Sequence, residues 1–486
     1  MEDFHWLWKF GPGFTISGDS VTVLHEPSDF FERLKKLTAS ANKRIVLASL
    51  YLGNGELEKD LVSELHAAAR RSVEVRVLLD YTRGSRGEIN SRTMLMPMLQ
   101  EFGGKPSDDT GGGEAVEPSG QVQVALYHSP RLRGLIRWLL PTRWNETLGL
   151  THLKVYLFDD TLILSGANLS DQYFRNRQDR YVVFQNCPPL ADYFARVVQT
   201  VSSFSLQLQA DDSVTVHPGF NIHPFKGDRS AFVAAANKRL SELIKPNRDA
   251  PPVARQSSSS ADTWVFPLLQ MAPLGITQDQ EVTEHLLAHA PLGSTLRLAT
   301  GYFNLTERYS NVILNNKSSC FDLLVASPKV NGFYGAEGIS SVIPTVYTLL
   351  LRQFFTRVWP SHNHVQVGEY ERPHWTFHGK GLWLWKDGQP WPCLSLIGSP
   401  NFGFRSVHQD LEAQVAIVTT NEKLQRQLNN EQQRLYELAA PVSLATFQNP
   451  SRHVPFWVRL LMPLLRPTLL TRDLCVTRKE SNKHVL

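Results

Sequence analysis

Two histidines, each followed two positions later by a lysine, are the residues best suited to chemistry in this sequence. They are His152 with Lys154 and His378 with Lys380. A neutral imidazole can attack phosphorus and form a covalent phosphohistidine. A lysine beside it can neutralise the charge that develops on the non-bridging oxygens in the transition state. The pattern therefore indicates transfer of a phosphoryl-type group through a histidine.

Carboxylates and amides follow both histidines at matching intervals. Asp159, Asn168 and Asp179 come after the first pair, and Asn401 and Glu412 after the second, with eleven residues from asparagine to acid in each case. A carboxylate can hold one ring nitrogen of a histidine and fix its tautomer. An asparagine after a Ser-Gly or Gly-Ser turn can donate to a phosphate oxygen.

The residues around the first motif predict two short strands, Leu153–Phe158 and Thr161–Ser165, joined by a turn at Asp159–Asp160. Residues two apart on a strand project from one face, so His152 and Lys154 are expected to lie side by side.

The similarity between the two halves extends upstream of the motifs. The segment 44–52 (RIVLASLYL) resembles 297–303 (RLATGYF), and 73–80 (VEVRVLLD) stands where 321–328 (FDLLVASP) stands in the second half. Such self-similarity predicts two copies of one α/β unit, with one site shared at their interface. The predicted organisation is an N-terminal extension (1–20), a first domain (21–245), a Pro/Ser-rich linker (246–263), a second domain (264–445) and a C-terminal tail (446–486).

The pattern His-x-Lys-x4-Asp followed by Gly-x-Asn, with a near-copy later in the chain, resembles the phospholipase D superfamily. Its fold is a pair of tandem α/β sandwich units packed as a pseudo-dimer with one shared active site. The stretches LASLYLGNGELEKDLV, HLKVYLFDDTLILSGANLSDQYF and SLIGSPNFGFRSVHQDLEAQVAIVT are similar to eukaryotic mitochondrial phosphatidylglycerophosphate synthases. One departure is Trp385, which stands where the second motif would carry its aspartate.

The resemblance implies transfer of a phosphatidyl group from CDP-diacylglycerol to glycerol 3-phosphate, releasing CMP, in the synthesis of phosphatidylglycerol and cardiolipin. It also implies the matrix side of the mitochondrial inner membrane, although no presequence is evident in the first residues. Because lysines supply the positive charge, we expect no required metal or other cofactor; stimulation by a divalent cation is left open.

The resemblance also implies a role for each site residue. His152, in the half with the complete motif, is the expected nucleophile, and Asp159 is expected to orient it. Protonated His378 is expected to assist the departure of CMP and then to act as base toward the acceptor. Asp179 is expected to add a further hydrogen bond, and Glu412 to hold the other ring nitrogen of His378. The residues expected to bind the non-bridging oxygens are Lys154, Lys380, Asn168 and Asn401.

Two further segments could bind anions. The turn Gly53-Asn54-Gly55 precedes a helical pattern and could present backbone amides to a nucleotide phosphate, or it could be a plain strand-to-helix turn. The basic loop with Arg83, Arg86 and Arg92 could bind glycerol phosphate or a lipid headgroup, or it could be a solvated loop.

The composition is that of a globular protein: 486 residues, 42% hydrophobic and 20% charged, with a net charge of +4. Four cysteines without paired spacing argue against a disulfide framework or a zinc cluster. No apolar run is long enough to span a membrane. The basic amphipathic segment 129–144 and the apolar tail 454–470 instead predict peripheral contact with an anionic membrane surface.

Three other functions share parts of this pattern. A phosphatidyltransferase of the same superfamily could use serine or phosphatidylglycerol as acceptor. A phosphodiesterase acting on nucleic acid would need a broader basic face, which a net charge of +4 offers only weakly, so no nucleic acid partner is expected. A scaffold that binds lipid without catalysis would not need both His/Lys pairs.

Overall fold

The computed structural model describes residues 1–104, 121–134, 137, 148–246, 261–334, 342–359 and 364–460. Up to residue 216 the strands are β1 (Phe14–Ile16), β2 (Val21–Leu24), β3 (Arg44–Ala48), β4 (Glu74–Asp80), β5 (Val122–Tyr127), β6 (Val155–Phe158), β7 (Thr161–Ser165), β8 (Arg177–Gln178), β9 (Tyr181–Phe184), β10 (Leu206–Leu208) and β11 (Val214–Val216). The helices are α1 (Pro27–Ser40), α2 (Glu56–Arg70), α3 (Tyr81–Gly84), α4 (Ser91–Phe102), α5 (Asp171–Arg175), α6 (Pro188–Ser202) and α7 (Arg229–Leu243).

The second half repeats this alternation of strands and helices. Its strands are β12 (Thr263–Gln270), β13 (Thr295–Thr300), β14 (Cys320–Ala326), β15 (Val365–Tyr370), β16 (Thr376–Phe377), β17 (Gly381–Trp385), β18 (Leu394–Gly398), β19 (Glu412–Thr419) and β20 (Ala439–Pro441). Its helices are α8 (Gln278–Ala288), α9 (Glu307–Asn315), α10 (Ile343–Val358), α11 (Phe404–His408), α12 (Glu422–Tyr436) and α13 (Leu444–Gln448).

The order of the strands confirms that the chain contains two copies of one α/β unit. In the described residues, one sheet has the order β11-β10-β5-β4-β3-β6-β7-β9-β2 and the other the order β1-β12-β19-β18-β17-β13-β14-β15-β20. The parallel strands β3, β4 and β5 correspond to β13, β14 and β15. The antiparallel strands β6, β7 and β9 correspond to β17, β18 and β19.

The repeat holds at single residues. Ser49 Oγ donates to the Tyr51 carbonyl at 3.0 Å, and Thr300 Oγ1 donates to the Tyr302 carbonyl at 3.1 Å. Each hydroxyl closes the turn that follows the first parallel strand of its unit. A buried apolar cluster, containing Val155 of one half and Phe377 of the other, runs across the junction between the units.

The first residues of the chain belong to the second half, and the prediction of a separate extension over 1–20 is wrong. Strand β1 pairs antiparallel with β12, so it forms an edge of the second sheet. The 3-10 helix Glu2–Lys9 buries Phe4, Leu7 and Trp8 in the apolar core of that half. The burial of these three large side chains holds the segment against the second domain, although more than two hundred residues separate the two in the chain.

Helix α12 lies at the junction of the halves, although its Gln-rich sequence predicts a surface helix. Its Glu431 accepts two hydrogen bonds from the buried Arg180 of the first half, at 2.9 and 2.8 Å. Trp383 stacks against the same guanidinium, with the ring centre 3.8 Å from Cζ, and donates to Glu431 at 3.0 Å. The polar residues of α12 thus satisfy a buried charge pair between the units.

Several segments lie largely outside the described residues: the Gly-rich stretch 103–120, which the sequence predicts to be a loop, the amphipathic segment 129–144, the linker 246–263 and the tail beyond residue 460. Strand β12 begins at Thr263, one residue inside the predicted linker. Among the described helices, none is both long and apolar enough to cross a bilayer.

Candidate active site

Short backbone bridges between the halves place each histidine against the other half. The backbone N–H of His152 donates to the Leu411 carbonyl at 2.8 Å, and the Leu411 N–H donates to the Leu150 carbonyl at 2.8 Å. The residue after Leu411 is Glu412. The bridge therefore brings an acid of the second half to the nucleophile candidate of the first.

The second histidine is held in the same way. Strand β8 pairs in parallel with β16, and the backbone N–H of His378 donates to the Gln178 carbonyl at 2.8 Å. The residue after Gln178 is Asp179. The two bridges are equivalent under the internal repeat, so the histidine–acid pairs are crossed between the units.

His152 and Glu412 form the first crossed pair. His152 Nδ1 lies 2.9 Å from Glu412 Oε2, and Ser406 Oγ donates to the other carboxylate oxygen at 2.7 Å. The Glu412 side chain is fully buried, whereas 14% of the His152 side chain is exposed. With Nδ1 occupied by the carboxylate, Nε2 is the ring nitrogen left for a substrate; it makes no hydrogen bond within the described part of the chain.

His378 and Asp179 form the second crossed pair. His378 Nδ1 lies 2.6 Å from Asp179 Oδ2, and the Tyr173 hydroxyl lies 3.3 Å from His378 Nε2. Lys380 Nζ is 3.0 and 3.3 Å from the two ring nitrogens, so it sits against the imidazole. This histidine is more deeply buried than His152, with 4% of its side chain exposed.

Two predicted contacts of the acids are wrong. Asp159 does not orient His152, because its carboxylate accepts hydrogen bonds from the backbone N–H groups of Asn42, Lys43 and Arg44, at 2.9, 2.8 and 3.0 Å. Asp159 is thus a structural residue in the turn between β6 and β7, where its φ is +50°. Glu412 does not hold His378; it holds His152, and Asp179 holds His378.

The acids of the two pairs differ in pKa. Burial lowers the pKa of His152 to about 4, with Lys154 adding to the effect and Glu412 opposing it. Burial would raise the pKa of Glu412, but His152 and Lys154 outweigh it and hold that pKa at about 2. The first pair is therefore a neutral imidazole with an ionised carboxylate at neutral pH.

In the second pair the acid holds the proton more strongly. Burial raises the pKa of Asp179 to about 6 against the opposing charge of Lys380, and burial with Lys380 lowers the pKa of His378 well below its usual range. Environments that push the pKa values of equivalent groups apart are typical of a division between acid–base and nucleophilic roles.

Both lysines lie inside the site. Lys154 and Lys380 are each 1% exposed, and Lys154 Nζ donates to the His152 carbonyl at 2.8 Å. Burial lowers the pKa of both ammonium groups, and Glu412 opposes the effect in each. An anionic phosphate bound between them would raise both pKa values and favour the charged form, because it compensates for lost hydration.

Gly166 allows the parts from the two halves to meet. A Cβ at this position would lie 2.5 Å from Asp179 Oδ1 and 2.8 Å from Lys380 Cε. Both distances are too short for any side chain, so only glycine lets the acid of the first half and the lysine of the second approach the same point.

The two asparagines flank the same region. Asn168 is 3% exposed, and its Oδ1 has no hydrogen-bond partner in the described chain. The Asn401 backbone N–H donates to Ser406 Oγ at 3.0 Å, and its Oδ1 lies 3.5 Å from Thr300 Oγ1. Their role in binding phosphate oxygens stays a prediction.

The glycine turn at Gly53 and Gly55 is already occupied. The Gly53 N–H donates to the Leu169 carbonyl at 2.8 Å, and the buried carboxylate of Glu58 packs against both glycines. Glu58 also accepts from the Asp171 N–H at 2.7 Å. A carboxylate in this position repels phosphate, so these contacts favour the plain strand-to-helix turn.

The three loop arginines are not equivalent. Arg92 is paired with Asp212, with Nη2 2.6 Å from Oδ1, so its charge is neutralised within the protein. Arg83 stacks on Tyr51, with Cζ 4.6 Å from the ring centre. Arg86 is half-buried. An anion-binding role for Arg83 and Arg86 stays a prediction.

Ser406 and Tyr173 are site residues that the sequence prediction missed. Each stands five residues after the asparagine of its copy, so the shared interval could have identified them. In one half this position gives a hydroxyl that donates to Glu412, and in the other a phenol beside His378.

Comparison with known proteins agrees with this geometry. Residues 34–201 match the family model described as cardiolipin synthase, PLD-like domain. Phosphatidylserine synthase of Haemophilus influenzae Rd KW20 superposes with a TM-score of 0.69 at 19% identity, over 96% of this chain and 97% of that one, which shows the fold. The duplicated sandwich with its pair of histidines therefore defines a phospholipase D-like protein.

Closer relatives define the family. The mitochondrial CDP-diacylglycerol–glycerol-3-phosphate 3-phosphatidyltransferases of Bos taurus and Homo sapiens are each 47% identical to this chain, over 96% of it and 86% of their own length. The enzyme of that name from Saccharomyces cerevisiae is 32% identical over 93% of this chain and 88% of its own. The chain belongs to the family of CDP-diacylglycerol–glycerol-3-phosphate 3-phosphatidyltransferases.

Proposed function

We propose that this chain transfers the phosphatidyl group of CDP-diacylglycerol to the 1-hydroxyl of glycerol 3-phosphate, through a covalent intermediate on His152. The observation that carries the proposal is the crossed pair of His152 and Glu412, 2.9 Å apart. An ionised carboxylate on Nδ1 keeps the proton on that nitrogen and leaves the lone pair of Nε2 for attack. The names of the relatives supply the donor and the acceptor.

In the first step, Nε2 of His152 attacks the phosphatidyl phosphorus. The bond from that phosphorus to the bridging oxygen breaks, and His378 gives this oxygen a proton as CMP leaves. Lys154 and Lys380 stabilise the charge on the non-bridging oxygens. His378 is neutral in the free protein because burial and Lys380 lower its pKa. The negative diphosphate of the donor raises that pKa and favours the proton on His378 when the substrate is bound.

In the second step, His378 accepts a proton from the 1-hydroxyl of glycerol 3-phosphate. The resulting oxygen attacks phosphorus, the bond between phosphorus and Nε2 breaks, and His152 returns to its neutral state. Asp179 supports both states of His378 by accepting the hydrogen bond of its Nδ1. The product is phosphatidylglycerophosphate, a precursor for phosphatidylglycerol and cardiolipin synthesis.

A transfer assay tests the reaction. The purified chain is given CDP-diacylglycerol in mixed micelles with labelled glycerol 3-phosphate, serine or phosphatidylglycerol, with and without EDTA. We expect label to appear in a new phospholipid only from glycerol 3-phosphate, with CMP release, and we expect this incorporation to persist in EDTA because the lysines supply the charge. Label from serine, or CMP release without incorporation, would contradict the proposed acceptor.

We also propose that the segment 454–460 attaches the protein to a mitochondrial membrane without spanning it. Phe456, Trp457 and Leu460 are 71%, 50% and 62% exposed. Val454 and Val458 pack this segment on Val346 and Leu349 of α10. Aromatic and aliphatic side chains displayed together at a surface are suited to the bilayer interface.

The proposed membrane-binding segment is linked to the catalytic site through α10. Tyr347 of α10 has its ring centre 5.6 Å from that of Tyr302, which lies 5.7 Å from the ring of His378. Helix α10 thus connects the exposed aromatic segment to the site that must receive a lipid. Attachment through this surface would hold the site near its membrane-bound donor.

Vesicle sedimentation tests the attachment. Replacing Phe456 and Trp457 by serine should weaken binding to phosphatidylcholine–phosphatidylglycerol vesicles roughly 10-fold or more, given about 1.5–3 kcal/mol for burial of one large apolar side chain. The matched control is Leu292→Ser, because Leu292 is 81% exposed but precedes β13 at the end opposite the site. Equal binding by all three proteins would contradict the assignment.

A further inference from the structure

Arg177 is a buried cation that lacks a carboxylate partner. It is 9% exposed, and no carboxylate among the described residues lies within 4.0 Å of its guanidinium. Its Nε donates to Thr376 Oγ1 at 3.1 Å, and its Cζ lies 4.9 Å from the ring centre of Tyr173. Three positions later, Arg180 is 1% exposed and is doubly hydrogen bonded to Glu431.

A buried charge without a counter-ion is unfavourable, so an unpaired guanidinium indicates a place for an anion. Arginine suits phosphate in particular, because its planar fork donates two parallel hydrogen bonds. The structural alternative is an arginine kept for its contacts with Tyr173 and Thr376, which leaves the buried charge without a carboxylate among the described residues.

Arg177 is directed toward the catalytic side of the molecule. Its Nη2 lies next to Gly332, where any Cβ would collide with it, and the same point lies 3.1 Å from the Tyr302 hydroxyl. The rings of Tyr173 and Tyr302 both meet His378 edge-on, with centres 5.1 and 5.7 Å from it. The guanidinium Cζ is 4.9 Å from the ring centre of Tyr173, which is 5.1 Å from the ring centre of His378, so Tyr173 contacts both groups.

The two substrates differ in how far a phosphate lies from the oxygen that exchanges a proton with His378. The oxygen that His378 protonates in CMP is bonded directly to the phosphorus of CMP. The hydroxyl that His378 deprotonates in glycerol 3-phosphate is separated from its phosphate by three carbons. Arg177 contacts the same tyrosine as His378 but makes no hydrogen bond to the imidazole in the described chain, which matches the second spacing.

We propose that Arg177 binds the phosphate of the acceptor and so selects a phosphorylated acceptor over one without phosphate, which rests on the transfer reaction proposed above. Thr376 and Tyr173 hold the guanidinium in place. Gly332 leaves room for it.

The test compares the two half-reactions in Arg177→Gln. Exchange of labelled CMP into CDP-diacylglycerol without acceptor reports the donor half-reaction. Transfer to glycerol 3-phosphate and to glycerol reports the acceptor half-reaction. Loss of charged hydrogen bonds should raise the KM for glycerol 3-phosphate roughly 10- to 100-fold. CMP exchange should fall far less, and the preference for glycerol 3-phosphate over glycerol should shrink by a similar factor.

Arg177→Lys and Arg92→Gln complete the set. The lysine keeps the charge but loses the fork, so its KM should lie between those of the wild type and Arg177→Gln. Arg92 is neutralised by Asp212, so Arg92→Gln should leave the acceptor KM unchanged. If Arg177→Gln lowers CMP exchange and transfer equally, or leaves the acceptor KM unchanged, the assignment is overturned. Wild-type protein that exchanges CMP but makes no product with glycerol 3-phosphate would instead overturn the proposed function.

Discussion

Glu412 Oε2 lies 2.9 Å from His152 Nδ1, although the two residues are 260 positions apart in the chain. The equivalent contact, between Asp179 and His378, also joins the two halves. Neither histidine is oriented by an acid of its own unit. The site therefore exists only when both halves are folded and packed, which links catalysis directly to the interface between them.

Replacing Glu412 by glutamine tests this link. The change keeps the size of the side chain but removes the charge that fixes the His152 tautomer, so kcat should fall roughly 10²–10⁴-fold with little change in KM. Steady-state kinetics with both substrates measure the effect.

Asp159→Asn is the matched control for Glu412→Gln. Asp159 is the acid that sequence spacing assigns to His152, but it accepts three backbone hydrogen bonds in a turn. The substitution should lower the free energy of unfolding by about 1 kcal/mol and leave kcat within a few-fold. A large loss of kcat in Asp159→Asn together with normal kcat in Glu412→Gln would contradict the crossed arrangement.

The acid limb of the pH profile should report the protonation of His152. The neutral form is the nucleophile, so kcat/KM should rise with pH through about 4, the value to which burial lowers this pKa, below a separate step at about 6 at which Asp179 loses its proton. Glu412 opposes that lowering, so Glu412→Gln should move the limb to still lower pH in addition to slowing the reaction. A limb that moves to higher pH in the variant would contradict the assignment of the limb to His152.

Gly166→Ala should damage the site without unfolding the protein. The added methyl would overlap Asp179 Oδ1 and Lys380 Cε, so one of these groups must move and kcat should fall roughly 10²-fold, the size expected for misplacement of about 1 Å. Gly84→Ala is the control, because a Cβ there has only ordinary contacts, the shortest 3.7 Å. Wild-type kcat in Gly166→Ala would show that this close approach is not needed.

Much of this arrangement could be predicted from sequence. Local patterns predict the His/Lys pairs and the turn at Asp159–Asp160, and the shared interval from asparagine to acid predicts the repeat. The duplicated fold confirms the repeat. The pairing of acids with histidines could not be predicted, because it depends on how the halves pack. The interval from asparagine to acid identifies Asp179 and Glu412 but contains no information on which histidine each one meets.

Two other errors have the same origin. The composition of α12 predicts a solvated helix, yet Glu431 is 4% exposed because Arg180 of the other half needs a counter-ion. The first residues predict an extension because β12, their partner strand, is about 250 positions away. Local periodicity reports which face of an element is apolar, and long-range pairing decides what covers that face.

The junction itself can be tested at the Arg180–Glu431 pair. Glu431→Gln leaves a buried guanidinium without a counter-ion, so the free energy of unfolding should fall by about 3–5 kcal/mol in chemical denaturation. Glu422→Gln on the same helix breaks an exposed pair with Arg426 and should change it by less than about 1 kcal/mol. Equal effects of the two substitutions would show that the buried pair does not hold the halves together.

The identity of the covalently modified histidine is the most direct test of the mechanism. The protein is mixed with CDP-diacylglycerol labelled in the phosphatidyl phosphate, without acceptor, and quenched rapidly in alkali, in which phosphohistidine survives. Peptide mapping should find the label on His152 in the wild-type protein. Glu412→Gln should carry less label on the same residue, and His152→Ala should carry none. Label on His378, or turnover by His152→Ala near the wild-type rate, would contradict His152 as the nucleophile.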